Sequence, residues 1–560
     1  MASRANVGNP LTRVLGRDWD VRHNEVGQGG TLATRSWFHG PAAVFAGLQY
    51  QSPWGVVLKA ELDPNHYQAE PLGNVLPSKT PLNWGVVYQP SKSVSVSAGV
   101  ERGNTWSFGL TFFTDLAGVS MPKVTDPPLA ARRSPWAEDW EQTAREVQTR
   151  SQWRIDQMHL APHTLVVDAS DSNQPYPQRR LDQAMAVLHR DAPPEVQEVV
   201  VQHHGAGGVL AVQRVNRSEW VTAQTEPART QKDVYGSSPA ASTPPTYTPQ
   251  ATDGATPLLP ARRSTSYVEP GLDFIHTLGG PDAFVLYQFS ASLNMGLKLP
   301  GDLELKALAR VRLLNNYNKF TYDAPSRLPR VRTYLREYFQ ASPTTLSNLS
   351  VSQTGRATRD VYWAAYGGYF EEMFGGVGGE VLYRQGGSRW AVGADVNQVR
   401  QRGFEQRLAF QDYRVRTGHV TGYWMTPIEG VQASLAAGQY LAGDKGATLT
   451  LTRVFANGAT LGAFATKTNV SAAVFGEGSF DKGIFWSVPF DALLTSTARG
   501  TAHFMWKPLT RDGGAMVVRP VNLFQETTWL DPNVHRYAPA APPNDAVIPD
   551  DRIEPWVRGR

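Results

Sequence analysis

VQASLAAGQYLAGDKGATLTLTRVFANGATLGAFATKT (431–468) is the stretch that decides the fold. In 431–439, Val431, Ala433, Leu435 and Ala437 alternate with Gln432, Ser434 and Gly438. In 447–454, Ala447, Leu449 and Leu451 alternate with Thr448, Thr450 and Thr452. Asn457-Gly458 then supplies a type I′ hairpin signal leading into 459–467. Successive side chains of a strand point to opposite faces, so each segment has one apolar face and one small polar face. The alternation continues through 268–508, about a dozen segments in all. A soluble two-sheet sandwich also alternates. Strands of about ten residues joined by an unbroken succession of hairpins suit an up-and-down membrane barrel better. The run VYWAAYGGYF (361–370) reads as an interface girdle built from Tyr362, Trp363, Tyr366, Tyr369 and Phe370. Residues 268–530 are therefore predicted to close into one antiparallel transmembrane β-barrel. Val431, Leu435, Leu449, Leu451 and Leu461 should face lipid.

Working towards the N-terminus, 40–115 alternates too. SVSVSAGVE (93–101) sets Val94, Val96, Ala98 and Val100 against serines and glycine, and 82–89 does the same with Trp84, Val86 and Tyr88. With 42–50, 54–62 and 105–114 these make about five strands. Five strands cannot close a membrane barrel, which takes at least eight. Either the barrel begins upstream of residue 1 or the strands form an open sheet; truncation is the expectation taken. Residues 1–120 are thus read as a partial N-terminal barrel region.

The period changes in 121–225. Ser134-Pro135 with Glu138 reads as a helix start, with Trp140, Ala144, Val147 and Ser151 along one face. A strand at 164–168, a helix at 178–190 with Leu181, Met185 and Leu188 inward, and strands at 196–202 and 208–215 complete the order α-β-α-β-β. This is a small α/β domain, expected in the periplasm and separate from the barrel. Residues 226–267, rich in Pro, Ser, Thr and Ala, read as a disordered linker where proteases should cut first. Residues 531–560 read as a polar, Pro-rich tail. A terminal aromatic strand of the kind outer-membrane barrels end on is placed at 521–529. The overall fold class is mainly β, with an inserted α/β domain.

Composition agrees. Trp 16, Tyr 20, Phe 22 and Gly 50 sit beside a mean hydropathy of −0.35. An apolar outer face and a polar lumen average to such a value. Lys+Arg 54 against Asp+Glu 50 gives a net charge of +4, which does not suggest nucleic acid as a partner. The chain has no Cys, so disulfides and thiolate sites drop out. No run approaches the roughly 18 apolar residues of a spanning helix. MASRANVGNP lacks the apolar core of a signal peptide, so the true start is expected upstream.

Candidate chemistry is sparse. His203-His204 are neighbours on a strand and point to opposite faces, so they do not readily share a metal ion. The GAGG that follows is a turn without the GK[ST] of a phosphate loop. Asp168, Ser170 and His163 are close in sequence, which is not triad geometry. Ser434, His419 and His503 lie in separate strands with nothing to group them. No catalytic, metal or cofactor residue is assigned. Tyr383 and Trp390, near strand ends, are the candidates for stacking on sugar rings, because an aromatic face matches the C–H face of a pyranose.

RQRGFEQRLAFQDYRVRTGHVTGYW (400–424), QYLAGDKGATLTLTRVFANGATLGAFATKT (439–468), FGEGSFDKGIFWSVPFD (475–491) and PLTRDGGA (508–515) resemble the YjbH family of exopolysaccharide-biosynthesis and capsule-assembly outer-membrane proteins. So do 82–112 and the segments APHTLVVDAS and LDQAMAVLHRDAPPEV. The resemblance implies barrel regions flanking a periplasmic α/β domain, and a part in secreting or assembling a surface polysaccharide. The expected function is a non-enzymatic outer-membrane component of exopolysaccharide or capsule export. Expected partners are outer-membrane lipid, a polysaccharide chain and periplasmic proteins of the same system. The rivals are an outer-membrane enzyme that modifies lipid or polysaccharide, and a purely structural barrel scaffold.

Overall fold

A computed structural model describes residues 9–21, 38–64, 75–127, 139–171, 177–225, 248–261 and 265–528, apart from short gaps at 41, 43, 92, 114, 117–118, 120, 279–282, 284, 322–325, 429, 456, 476–479 and 508–509. The chain divides into two units, Met1–Asp115 and Leu116–Arg560. The proposed tail 531–560 lies outside the described residues.

The first unit holds β1 (Ala46–Gln51), β2 (Val56–Leu62), β3 (Leu82–Ser91), β4 (Val94–Glu101) and β5 (Thr105–Phe112), paired in sequence order. This is an open antiparallel sheet. Its register aligns Leu58 with Val86, Ala98 and Phe108 across four strands, so one face is apolar throughout. Ser97, Ser107 and Gly109 lie on the other face.

The second unit begins with the α/β module. The side chain of Asp139 accepts from Gln142 N (3.0 Å) and caps the helix Trp140–Ser151. The helix therefore starts after Asp139 rather than at Ser134, which lies outside the described residues. Its buried residues include Ala144, Val147 and Ser151. Gln152 ends it in the left-handed region. Then come β6 (Arg154–Ala161), β7 (Thr164–Ser170), the helix Pro177–Asp191, β8 (Glu198–Gly205), β9 (Gly208–Asn216) and the helix Arg217–Thr225. β6 and the last helix were not foreseen. β10 (Thr256–Leu259) pairs with β6 and completes a sheet of order β10-β6-β7-β8-β9. This corrects the reading of 226–267 as a single linker: Leu259 is buried in the module's core. Residues 226–247 lie outside the described ones. The core joins Leu181, Met185 and Leu188 to Leu165, Val167, Val199 and Val201.

Thirteen antiparallel strands follow in sequence order. They are β11 (Thr265–Leu278), β12 (Val285–Leu299), β13 (Leu303–Asn315), β14 (Thr344–Thr358), β15 (Val361–Tyr369), β16 (Phe374–Tyr383), β17 (Trp390–Arg402), β18 (Phe410–Met425), β19 (Val431–Gln439), β20 (Lys445–Val454), β21 (Thr460–Thr468), β22 (Asp481–Pro489) and β23 (Thr501–Trp506). Together they make a near-closed barrel. The antiparallel barrel expected over 268–530 is thus present, and no ladder between β11 and β23 occurs among the described residues. Leu435, Leu449, Leu451 and Leu461 point outward and stay 42–53% exposed, as a lipid-facing band requires. Leu435 and Leu449 are register partners, with Ala465 next in the row.

The aromatic run in β15 splits between the faces. Tyr362, Tyr366 and Phe370 are buried inside the barrel. The girdle reading of the whole run therefore fails for these three, because residues four apart on a strand share a face. Trp363 points the other way and lies over Gly355, where a Cβ would overlap its indole.

Candidate functional site

The interior of the barrel is filled by the chain itself. Residues 510–528 follow β23 and pack on the inward face of β15 to β18. Ala515, Val517, Val521, Leu523 and Phe524 share one core with Tyr362, Tyr366, Leu382, Ala391 and Val399. Residues 521–529, expected as a terminal strand, instead contain the helix Leu523–Thr528. An inserted segment needs to satisfy its own backbone inside the barrel, and a short helix does this where an unpaired strand could not.

Side-chain anchors hold this segment at three levels. At its start, the Asp512 carboxylate accepts from the backbone N–H groups of Val331 (2.9 Å), Arg332 (2.8 Å) and Thr333 (3.0 Å) and from the Ser326 and Thr333 hydroxyls (both 2.8 Å). Gly514 N donates to Asp444 (2.8 Å) and Leu441 N to Ala515 O (2.9 Å). Midway, Arg519 pairs with Glu380 (3.2 Å) and Asp395 (3.4 Å), inward residues of β16 and β17 that face each other in register. At its end, Leu523 N donates to Glu380 (3.1 Å), the Phe524 ring stacks on Tyr423 with centroids 3.8 Å apart and planes 7° apart, and Arg384 donates to Thr527 O. Arg332 also binds Glu371 (2.9 Å) and Met516 O (2.7 Å).

The direction of the strands orders these anchors. Arg384 follows β16, at the end of the barrel where 300–302, 359–360 and 384–389 make short turns. The 440–444 turn and the 316–343 connection lie at the other end. Residues 510–528 therefore run from the long-loop end to the short-turn end.

The α/β module sits at the short-turn end. Arg180 pairs with Asp491 (2.9 Å) in the β22–β23 connection, and Lys123 reaches the same carboxylate (3.3 Å). Asp126 accepts from Thr497 N (2.6 Å) and pairs with Arg179 (2.8 Å). Lys298 at the end of β12 pairs with Asp171 (2.5 Å). Arg356 donates to Val209 O (3.1 Å). Gly207, in the β8–β9 turn with φ +86°, comes so close that a Cβ there would overlap the backbone of Gly355 and Arg356. The module is thus docked on the barrel, not tethered apart from it. Burial pulls the Arg180 guanidinium down to about 10, and Asp491 beside it opposes that shift. Burial likewise lowers the Lys123 ammonium despite Asp491.

The groups declined as sites from the sequence do not assemble into one in space either. His203 hydrogen-bonds Gln213 (2.8 Å) and meets the edge of Trp153, whereas His204 lies 3.4 Å from Asp168. The two rings are on opposite faces of β8. Asp168 is held by Gln157 and Gln202, and His163 contacts Glu195 O in the β6–β7 turn, so no triad forms. No group of three metal-ligating side chains occurs among the described residues. Tyr383 and Trp390 both lie on the outward face of the β16–β17 hairpin end, and Trp390 stacks on Trp424 (5.1 Å, 6°). That is girdle geometry. The inward aromatics Tyr366 and Tyr423 carried no separate signal in the sequence beyond strand parity.

These features define an antiparallel transmembrane β-barrel protein with a docked α/β module. The model of the YjbH family, described as "Exopolysaccharide biosynthesis protein YbjH", matches residues 1–528. The "Uncharacterized lipoprotein YjbH" of Escherichia coli (strain K12) is 32% identical over 552 residues, covering 94% of this chain and 76% of that protein. The chain belongs to the YjbH family. Among solved structures, OccK9 (OpdG) of Pseudomonas aeruginosa overlaps 46% of this chain and 73% of its own, at 14% identity and TM-score 0.25. OmpT of Vibrio cholerae, an outer membrane protein, overlaps 41% of this chain and 82% of its own, at 14% identity and TM-score 0.20.

Proposed function

We propose that this protein is a non-enzymatic outer-membrane component of exopolysaccharide or capsule export or assembly. The observation that carries the reading is the asymmetry of the barrel: the α/β module is bound to the short-turn end. In outer-membrane barrels the short turns face the periplasm. On that assignment the module meets periplasmic proteins of the polysaccharide system, and the long-loop end meets the cell surface. The family description supplies the polysaccharide, which the fold by itself does not.

The filled interior favours a second reading, a barrel that scaffolds partners without passing polymer. Deleting the gene and measuring polymer separately outside the cell and in the periplasm tests the first. Periplasmic accumulation with less polymer outside supports export. Unchanged amount and location with altered chain length or acyl decoration would favour an enzyme. Loss of polymer from both compartments would favour the scaffold.

A further inference from the structure

We propose that the inner wall around Tyr423, Glu380 and Asp395 is a binding site for neutral pyranose rings, and that residues 510–528 occupy it as a displaceable internal plug. Only the identity of the ligand class as a glycan rests on the function proposed above. The plug and the site rest on geometry.

A wall meant to stay dry would be lined by apolar side chains, because burying charges costs more than burying hydrocarbon of the same volume. This wall instead carries Glu380 and Asn397, both buried, and the half-buried Asp395, under the C-terminal segment. Such groups suit a surface that is wet in another state. The covering segment is also irregular over 511–522, and side chains at Asp512 and Arg519 supply its main polar anchors. It contributes no strand to the barrel, so the ladders stay intact when it leaves.

What the segment covers has the chemistry of a sugar site. The Phe524 ring lies flat on Tyr423, at the separation and tilt a pyranose takes on an aromatic face. Asn397 and the Tyr366 hydroxyl, 2.8 Å apart, and the two carboxylates offer hydrogen bonds to ring hydroxyls. Withdrawing the plug takes Arg519 away and leaves Glu380 and Asp395 without that cation. Asp444 loses the Gly514 amide at the same time. The exposed wall then carries Glu380, Asp395 and Asp444 against Arg384, with Arg332 still paired to Glu371, an excess of carboxylates that repels polyanions. The ligand class is therefore a neutral glycan, not a uronate polymer.

The test uses the full chain reconstituted in planar lipid bilayers. Wild type should show little conductance, and Asp512→Ala/Arg519→Ala should show open steps. Adding Leu441→Cys and Ala515→Cys to that variant, in a chain with no other cysteine, should close it on oxidation and reopen it on reduction. Reopening also shows that the variant is folded. Dextran oligosaccharides should block the open variant, and oligogalacturonate should block it about tenfold less well. Tyr423→Ala should weaken the dextran block about tenfold. A variant that stays closed in the reduced state would show that 510–528 is a fixed part of the barrel. Open steps that dextran does not block, or blocks equally with Tyr423→Ala, would overturn the site. Stronger block by oligogalacturonate would overturn the charge argument. None of these outcomes depends on the gene-deletion phenotype, so the two proposals fail separately.

Discussion

Asp491 joins the α/β module to the barrel through several groups at once. Its carboxylate takes Arg180 and Lys123, both buried, and the part-buried Ala498 amide (3.0 Å). Replacing one partner of a buried pair leaves the others without compensation. Asp491→Asn should lower the stability of the module by about 3–5 kcal/mol, read as a drop in its thermal midpoint by circular dichroism. An unchanged midpoint would mean that the cluster is solvated and carries little. Asp182 gives a pH-dependent counterpart. Burial pushes its carboxyl up to about 7, and the Trp220 indole N–H (3.0 Å) opposes that only in part. A carboxyl raised on folding favours the folded state while it is neutral. That stability is fully present below the unfolded pKa near 4 and is lost as pH rises through about 7. The module should therefore melt at a lower temperature at pH 8 than at pH 5, by a free energy of roughly 2–3 kcal/mol. Asp182→Asn should flatten the profile; an equally steep profile in that variant would assign the effect to another group.

At the scale of the strand, parity does most of the work. Leu449 faces out and Thr448 faces in, where its hydroxyl joins Tyr440 (2.8 Å) and Thr466 (2.7 Å). Leu449→Arg should cost roughly 2–4 kcal/mol in lipid vesicles if residue 449 lies near the bilayer midplane. Equal stability of Leu449→Arg and wild type in lipid would contradict the outward assignment. Parity was legible in the sequence because the alternation of 431–468 is nearly perfect. The same rule, applied to Tyr362, Tyr366 and Phe370, would have put them inside; their aromatic character drew them to the girdle instead. β6, with Asp156 and Gln157 beside Ile155 and Met158, has no clean alternation, and its bulge between Ile155 and Gln157 shifts the pattern. β10 is a short Thr-Pro-Leu-Leu segment in Pro-rich surroundings, and only its partner β6 makes it a strand. The segment 510–528 was illegible for a related reason. Its anchors are long-range, as with Leu523 and Glu380, and irregular backbone leaves no period to detect.

Across the second unit, contacts with the module gather at the same end of the barrel: Lys298 at the end of β12, Arg356 near the end of β14, and Asp491 after β22. The sequence showed the change of period at the module's edges but not these ion pairs, whose members lie far apart along the chain. Docking of this kind couples two folds that could otherwise melt separately. Gly207 is the sharpest place to test that coupling. Its turn has a positive φ, and any Cβ meets backbone atoms of Gly355 and Arg356, which a strand of the barrel cannot easily move. A side chain there has two costs, the left-handed backbone and the displacement of the β8–β9 turn. Asp491, Asp171 and their partners lie outside that turn, so the ion pairs remain available to the shifted module. Gly207→Val should therefore loosen the docking without unfolding either part. By differential scanning calorimetry in detergent, wild type should give one joint transition for the module and the thirteen-strand sheet. Gly207→Val should split it, with the module melting first and the strand signal unchanged. A joint transition that survives the substitution would show that the ion pairs alone couple the two. Two transitions already present in wild type would refute the coupling itself.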